Sequence, residues 1–233
     1  MMRSSFTAVL CLALLTGCQA AGVGNFWEKH SIDYTDIRAA EDQFADFAEL
    51  AAAAPAEEAF AALDDLFDRL KQDTVAYYIY SEWMEGAFYN LLSPCRSAAL
   101  YGKSVDRIVA DGVLTENDYA PYLRRREWIG YNLEGAQAFV PGMSTFDART
   151  LVLVLDLGCP SCREALEKLG GDPQWEGVRK MAVGLGYGPH PDVPGWEFLF
   201  PENGTAVFDI GMTPVYFVVA ADGTVERGYT LAL

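Results

Sequence analysis

Histidine is almost missing from this chain of 233 residues: only His30 and His190 occur, far apart in the sequence. Basic residues are scarce as well, 17 against 33 acidic ones, for a net charge of −16. A surface of that sign repels nucleic acid and anionic lipid headgroups, so neither is an expected partner, and solubility is the plainest role for the charge. Cysteine is thinly spread, at positions 11, 18, 95, 159 and 162, which excludes a mini-protein stapled by disulfides. No Ser/His/Asp set of the hydrolase kind is visible. Beyond the first residues, no segment reaches the roughly 18 uninterrupted apolar residues that a membrane-spanning helix takes.

What is present is enough apolar material for a packed core: 51% hydrophobic residues, 13% aromatic. Residues 1–17 read as a secretory signal. Arg3 gives the positive start, and Phe6 to Leu15 give an apolar run too short to cross a bilayer. Leu15-Thr16-Gly17-Cys18 resembles the bacterial lipobox, and the resemblance implies cleavage before Cys18 and lipid on its thiol. Cys11 leaves with the signal. Residues 18–32 then read as a lipidated tether, with Gln19 to Asn25 small and polar. Lipid on Cys18 holds a protein at a membrane, so the expected location is the cell envelope, where disulfides persist.

Residues 33–140 read as an all-helical domain. The clearest helix covers Ala56 to Lys71, with Phe60, Leu63, Phe67 and Leu70 on one face and Pro55 just ahead of it. A helix over Asp36 to Ala53 precedes it, with Phe44, Phe47 and Leu50 as its apolar face. A third, Thr74 to Leu92, is rich in aromatics, takes Asp73 as its N-cap, and is broken by Ser93-Pro94. A fourth runs from Arg96 to Ala110 and stops at Asp111-Gly112. The last starts at Thr115, with Asp118 completing a weak capping box, and continues to about Phe139. The aromatic stripe is expected to be core rather than a binding groove. The Arg124-Arg125-Arg126 run is expected to pair with acidic neighbours or cap carbonyls. Cys95, beside a proline at a helix start, reads as a small buried hydrophobe, with a third redox thiol as the sharper alternative.

Pro141-Gly142 marks a change of period, and a second domain is expected over 143–233. Thr150 to Leu157 reads as a buried central strand. Gly158 ends it, and Cys159-Pro160-Ser161-Cys162 follows, ahead of a helix over Arg163 to Leu169 closed by Gly170-Gly171. Val178 to Leu185 is a second strand. After a Pro/Gly-rich excursion, Val215 to Ala220 and Val225 to Tyr229 form a hairpin about Asp222-Gly223. The order is strand, helix, strand, hairpin, that of a small α/β domain, and the whole chain is α+β. Gly184, Gly186 and Gly188 alternate, but Pro189 and Pro191 replace the helix that a nucleotide loop needs. Asn203-Gly204-Thr205 matches a glycosylation sequon by chance, and Asp209 and Asp222 read as turn or strand-edge residues.

Two cysteines three apart at a helix start form a chemical site. Free N–H groups and the positive end of the helix dipole favour a thiolate on Cys159, and Cys162, one turn inward, is placed to resolve a mixed disulfide. Pro160 suits the first helical position. The alternative, half of a zinc site, finds no second Cys-x-x-Cys and no ligand-like histidine spacing, so neither metal nor cofactor is expected.

With Met212-Thr213-Pro214 before a strand, the pattern resembles thioredoxin-like proteins. The resemblance implies that Pro214 is the cis-proline facing the dithiol and that Thr213 beside it holds substrate backbone, with Pro160 and Ser161 also on the substrate side. VYFVVAADGTVERGY is similar to that family's closing hairpin. The whole chain resembles a Bacteroides-type lipoprotein group in which a helical domain of unknown function, opening on a pair like Phe26-Trp27, precedes the thioredoxin-like domain; Ser93-Pro94 and Leu100-Tyr101 fit it too. Against the family pattern, Gly158 replaces a tryptophan and Leu153 replaces a buried aspartate, while Asp156 lies nearer but is expected to point differently. The family's last helix is expected to be absent, leaving one sheet face to the helical half or to a partner. The implied activity is membrane-anchored thiol–disulfide exchange on exported proteins, with a redox donor, leaning towards reduction or isomer repair. The alternative is a non-catalytic binding or assembly lipoprotein whose thioredoxin-like half is a scaffold. A thiol peroxidase lacks its Thr/Ser-rich pocket at Asp156-Leu157-Gly158.

Overall fold

The computed structural model of the chain describes residues 22–189 and 192–232. The signal segment 1–17, with Cys11, and the lipidation position Cys18 lie outside the described residues, as does His190.

Among the described residues, six α-helices follow a short 3-10 turn at Val23–Asn25: α1 (Phe26–Lys29), α2 (Ile37–Ala53), α3 (Ala56–Leu70), α4 (Thr74–Phe88), α5 (Ala98–Asp111) and α6 (Glu116–Gly130). Their ends follow local chemistry. Asp36 and Asp73 accept backbone N–H groups at the starts of α2 and α4. Thr115 and Asp118 form the capping box of α6, and Gly112 closes α5 in the left-handed conformation at φ 64°. Each helix turns one stripe inward to a shared core in which Phe47, Leu63, Phe67, Tyr77, Tyr80 and Phe88 are fully buried. The aromatic stripe of α4 is therefore core. On α2 the face is completed by Ala48 and Ala51, because Leu50 turns outward. Arg107 ties α5 to α3 through Asp64 at 2.8 Å and Asp68 at 2.6 Å. Arg125 and Arg126 of the basic run pair with Glu85 and Asp106.

Three expectations need correction here. The tether does not extend through residue 32: Val23, Phe26 and Trp27 are buried in the helical core, with Trp27 against Phe47 at 5.0 Å between ring centroids. The helix expected to reach Phe139 ends at Gly130. Asn132 takes φ 52°, its side-chain amide bonds the carbonyl and N–H of Phe139, and Gly135 takes φ 81°, so residues 131–140 fold over the sheet instead. The helix after Pro94, expected from Arg96, starts at Ala98, capped by Ser97, which leaves Cys95 in a buried turn where desolvation pushes its thiol pKa up.

The second half holds a mixed five-stranded sheet in the order β3-β2-β1-β4-β5, from β1 (Thr150–Asp156), β2 (Arg179–Leu185), β3 (Glu197–Leu199), β4 (Val215–Val219) and β5 (Val225–Leu231). β1 and β2 run parallel across the crossover helix α7 (Pro160–Gly171), and β4 and β5 form the antiparallel hairpin. β1 is buried on both faces, as its unbroken aliphatic run requires. The three-residue edge strand β3 had no signal of its own in the sequence. One sheet face packs on α7 through Leu151, Leu153 and Leu155. The other carries Val152, Val154, Val215 and Phe217 and is covered by Val140, Phe146, Val207 and Phe208, with Leu91 of the helical half. The chain is thus α+β, with its second sheet face closed by the connector between the halves and a loop of its own.

Trp27→Ala removes a side chain 1% exposed at the start of the helical core. The expected cost is about 3–5 kcal/mol, read as a lower midpoint in urea unfolding; a tether residue would cost nothing measurable.

Candidate functional site

β1 ends at Asp156, and the next residues turn straight into α7. All three polar groups of Asp156 hold that turn. Its carboxylate accepts the Gly158 N–H at 2.9 Å, its carbonyl accepts the Cys159 N–H at 3.1 Å, and its N–H donates to the Cys162 sulfur at 3.3 Å. Cys159 is the extended N-cap residue of α7, and Pro160 fills the first helical position, where a missing N–H costs nothing. The two sulfurs thus sit at the tip of a helix of 12 residues, in the field of its unpaired N–H groups.

Their environments differ. Cys159 is part-exposed, and its sulfur lies 2.9 Å from the Ser161 hydroxyl. That hydroxyl, then the Cys162 backbone N–H, holds the Cys159 thiol pKa below its ordinary value. Cys162 is 1% exposed, and burial pushes its thiol up to about 11, with the Asp156 N–H and the Thr213 hydroxyl pulling weakly the other way. The Thr213 contact brings the loop before β4 onto the dithiol. Thr213–Pro214 is a cis bond, and Pro214 is buried. Thr213, joined by its cis bond to Pro214, therefore lies beside Cys162 at the tip of α7. Leu153 is fully buried beneath α7, so no carboxylate lies below Cys162 from that position.

A shallow cavity beside the sulfurs is lined by Asp156, Leu157, Arg163, Leu166 and Pro189. Next to it, a groove of about 430 Å³ runs between Gly184–Tyr187 and Phe200–Thr205. The alternating glycines shape this wall. A Cβ on Gly188 would stand 2.5 Å from the Leu157 carbonyl oxygen, and one on Gly184 would stand 2.6 Å from the Phe200 ring. They are close-approach residues, and the sequence signal for that role was the alternation itself. No sequence signal marks Tyr187, which is almost wholly exposed at the groove. The holding role of Asp156 is marked in the sequence only by its spacing from the dithiol. Among the described residues, no group of three or more histidine, cysteine or carboxylate side chains could hold a metal ion.

No family model matches the sequence, and no curated protein matches it. Among solved structures, a thioredoxin-like protein from Bacteroides caccae is similar with a TM-score of 0.68 at 16% identity, over 90% of this chain and 87% of that one. The coverage is too large for either half alone. The likeness shows a thioredoxin-like fold.

Alkylation with iodoacetamide is expected to label Cys159 first, with a midpoint below that of an ordinary thiol, while Cys162 stays unreactive until far higher pH. Ser161→Ala should move the Cys159 midpoint upward. Equal labelling of both sulfurs at neutral pH would contradict this assignment.

Proposed function

We propose that this chain is a thiol–disulfide oxidoreductase of the cell envelope, tethered through lipid on Cys18 and acting on exported proteins. The observation that carries the reading is the asymmetry of the two sulfurs at one helix tip: one part-exposed with its thiolate favoured, the other buried and held protonated. Cys159 thiolate attacks a substrate disulfide. A bond forms between Cys159 and one substrate sulfur as the substrate S–S bond breaks, and the departing sulfur leaves with the electron pair and takes up a proton. Cys162 then gives up its proton and attacks the Cys159 sulfur, closing the 159–162 disulfide and releasing the second substrate thiol. Two electrons have passed to the substrate, and a dithiol donor in the envelope restores the protein. Thr213 and Pro214 supply the edge on which substrate backbone docks opposite the helix tip. The direction towards reduction or isomer repair follows the lipoproteins that the sequence resembles.

A second reading has one observation in its favour: Leu153 leaves Cys162 without a buried carboxylate to accept its proton. In that reading the pair is a structural disulfide on a binding or assembly module, and its potential falls below about −300 mV.

Cys159→Ser is expected to abolish insulin reduction, and Cys162→Ser to accumulate mixed disulfides that identify the clients. Full turnover by Cys159→Ser rejects the reading. Labelled palmitate is expected to enter the protein in bacterial cells and to be lost in Cys18→Ser; unlabelled parent protein would reject the anchor.

A further inference from the structure

We infer that Tyr89 of the helical half is a positioning residue for the loop that faces the dithiol, so that substrate docking at Thr213-Pro214 depends on the helical half. The inference builds on the oxidoreductase reading above and adds to it a task for the helices.

The loop from Gly204 to Pro214 is gripped from the helical side at three points. Trp128 of α6 donates from its indole N–H to the Thr205 carbonyl at 3.1 Å. The Tyr89 hydroxyl, at the end of α4, donates to Asp209 Oδ2 at 2.6 Å. Met212 packs against both the helical core and the second sheet face. Of these, the Tyr89 contact leads most directly to the sulfurs. The other oxygen of Asp209, Oδ1, accepts the Gly211 N–H at 2.9 Å, and its carbonyl accepts the Met212 N–H at 3.1 Å, closing the short 3-10 turn Ile210–Met212. The Ile210 carbonyl in turn accepts both the Thr213 N–H at 3.3 Å and the Thr213 hydroxyl at 2.8 Å. Thr213 itself stands beside Cys162. Hydrogen bonds through one short turn thus tie Tyr89 to Thr213, the residue before the cis-proline.

A turn of this kind needs only Oδ1 of its aspartate. The second oxygen is free to take an outside donor, and Tyr89 fills it from a rigid place. The ring is 4% exposed and packs on Tyr101 at 5.1 Å. Burial pushes the Tyr89 hydroxyl pKa up, so it remains a donor throughout the working range of the site. Around it, Arg125 holds Glu85 at 2.6 Å, and Tyr122 bonds Glu82, so the surrounding carboxylates already have partners.

The test uses the full chain carrying Tyr89→Phe, which keeps the ring and removes the hydroxyl. Turnover is measured with dithiothreitol as donor, against insulin, which must dock its backbone, and against dithiobis(nitrobenzoate), which has none. The expected result is a several-fold rise in KM for insulin with KM for the small disulfide unchanged. Hydrogen exchange should be faster in the peptide spanning Ile210–Thr213 and unchanged in β1. An unchanged insulin KM in Tyr89→Phe, or an equal rise for both disulfides, would each overturn the inference. If the parent turns over neither disulfide, it is the oxidoreductase reading that fails; the exchange measurement still reports whether Tyr89 holds the loop.

Discussion

The turn at the end of β1 is the constraint from which the site follows. A fully buried strand must leave the sheet within three residues, and its last residue, Asp156, spends its N–H, its carbonyl and its carboxylate on Cys162, Cys159 and Gly158. Backbone groups at the end of a buried strand need partners, and here the partners are the dithiol turn itself. The strand end, the helix start and the two sulfurs are therefore one unit. Gly158, where the thioredoxin pattern has a tryptophan, belongs to the same unit: its N–H meets the Asp156 carboxylate, and a Cβ there would lie 3.5 Å from that oxygen.

The division between the two sulfurs follows from depth alone. One turn of helix separates a sulfur at the rim, beside a serine hydroxyl, from one sealed under Leu155 and Leu166. No basic side chain is needed for that difference, which suits a chain so poor in cations. Desolvation dominates at Cys162, and hydrogen bonding dominates at Cys159.

Much of this was legible in the sequence where a single physical rule governs. The helix of Phe60, Leu63, Phe67 and Leu70 follows from period, the buried β1 from its aliphatic run, and the hairpin from Asp222-Gly223. The dithiol and its helix follow from spacing and from Pro160. Reading failed where two rules competed. Residues 131–139 carry apolar residues at helical steps, yet Asn132 prefers a left-handed turn closed by its own amide, and Gly135 offers a further one. Phe26 and Trp27 sit among small residues that suggest a tether, yet the two aromatic rings outweigh them and join the helical core, as the resemblance to the lipoprotein group implies. The helix expected at Arg96 was displaced by Ser93, whose hydroxyl bonds the Ala87 carbonyl and the Cys95 N–H and spends two residues on a turn. The tie between Tyr89 and Asp209 spans 120 positions and leaves no local trace.

The second face of the sheet has a consequence for anyone dissecting this molecule. Its lid is assembled from Leu91, Tyr131, Ala138 and Val140 as well as from Val207 and Phe208, so the lid is drawn from both sides of the apparent boundary. Cutting the chain at Pro141 to isolate a minimal redox module would remove the upstream part of that lid and open the valine-rich wall beneath it to water, inviting self-association. The shortest faithful fragment begins well upstream, inside the helices, and the natural unit for engineering or transplantation is the pair of halves together.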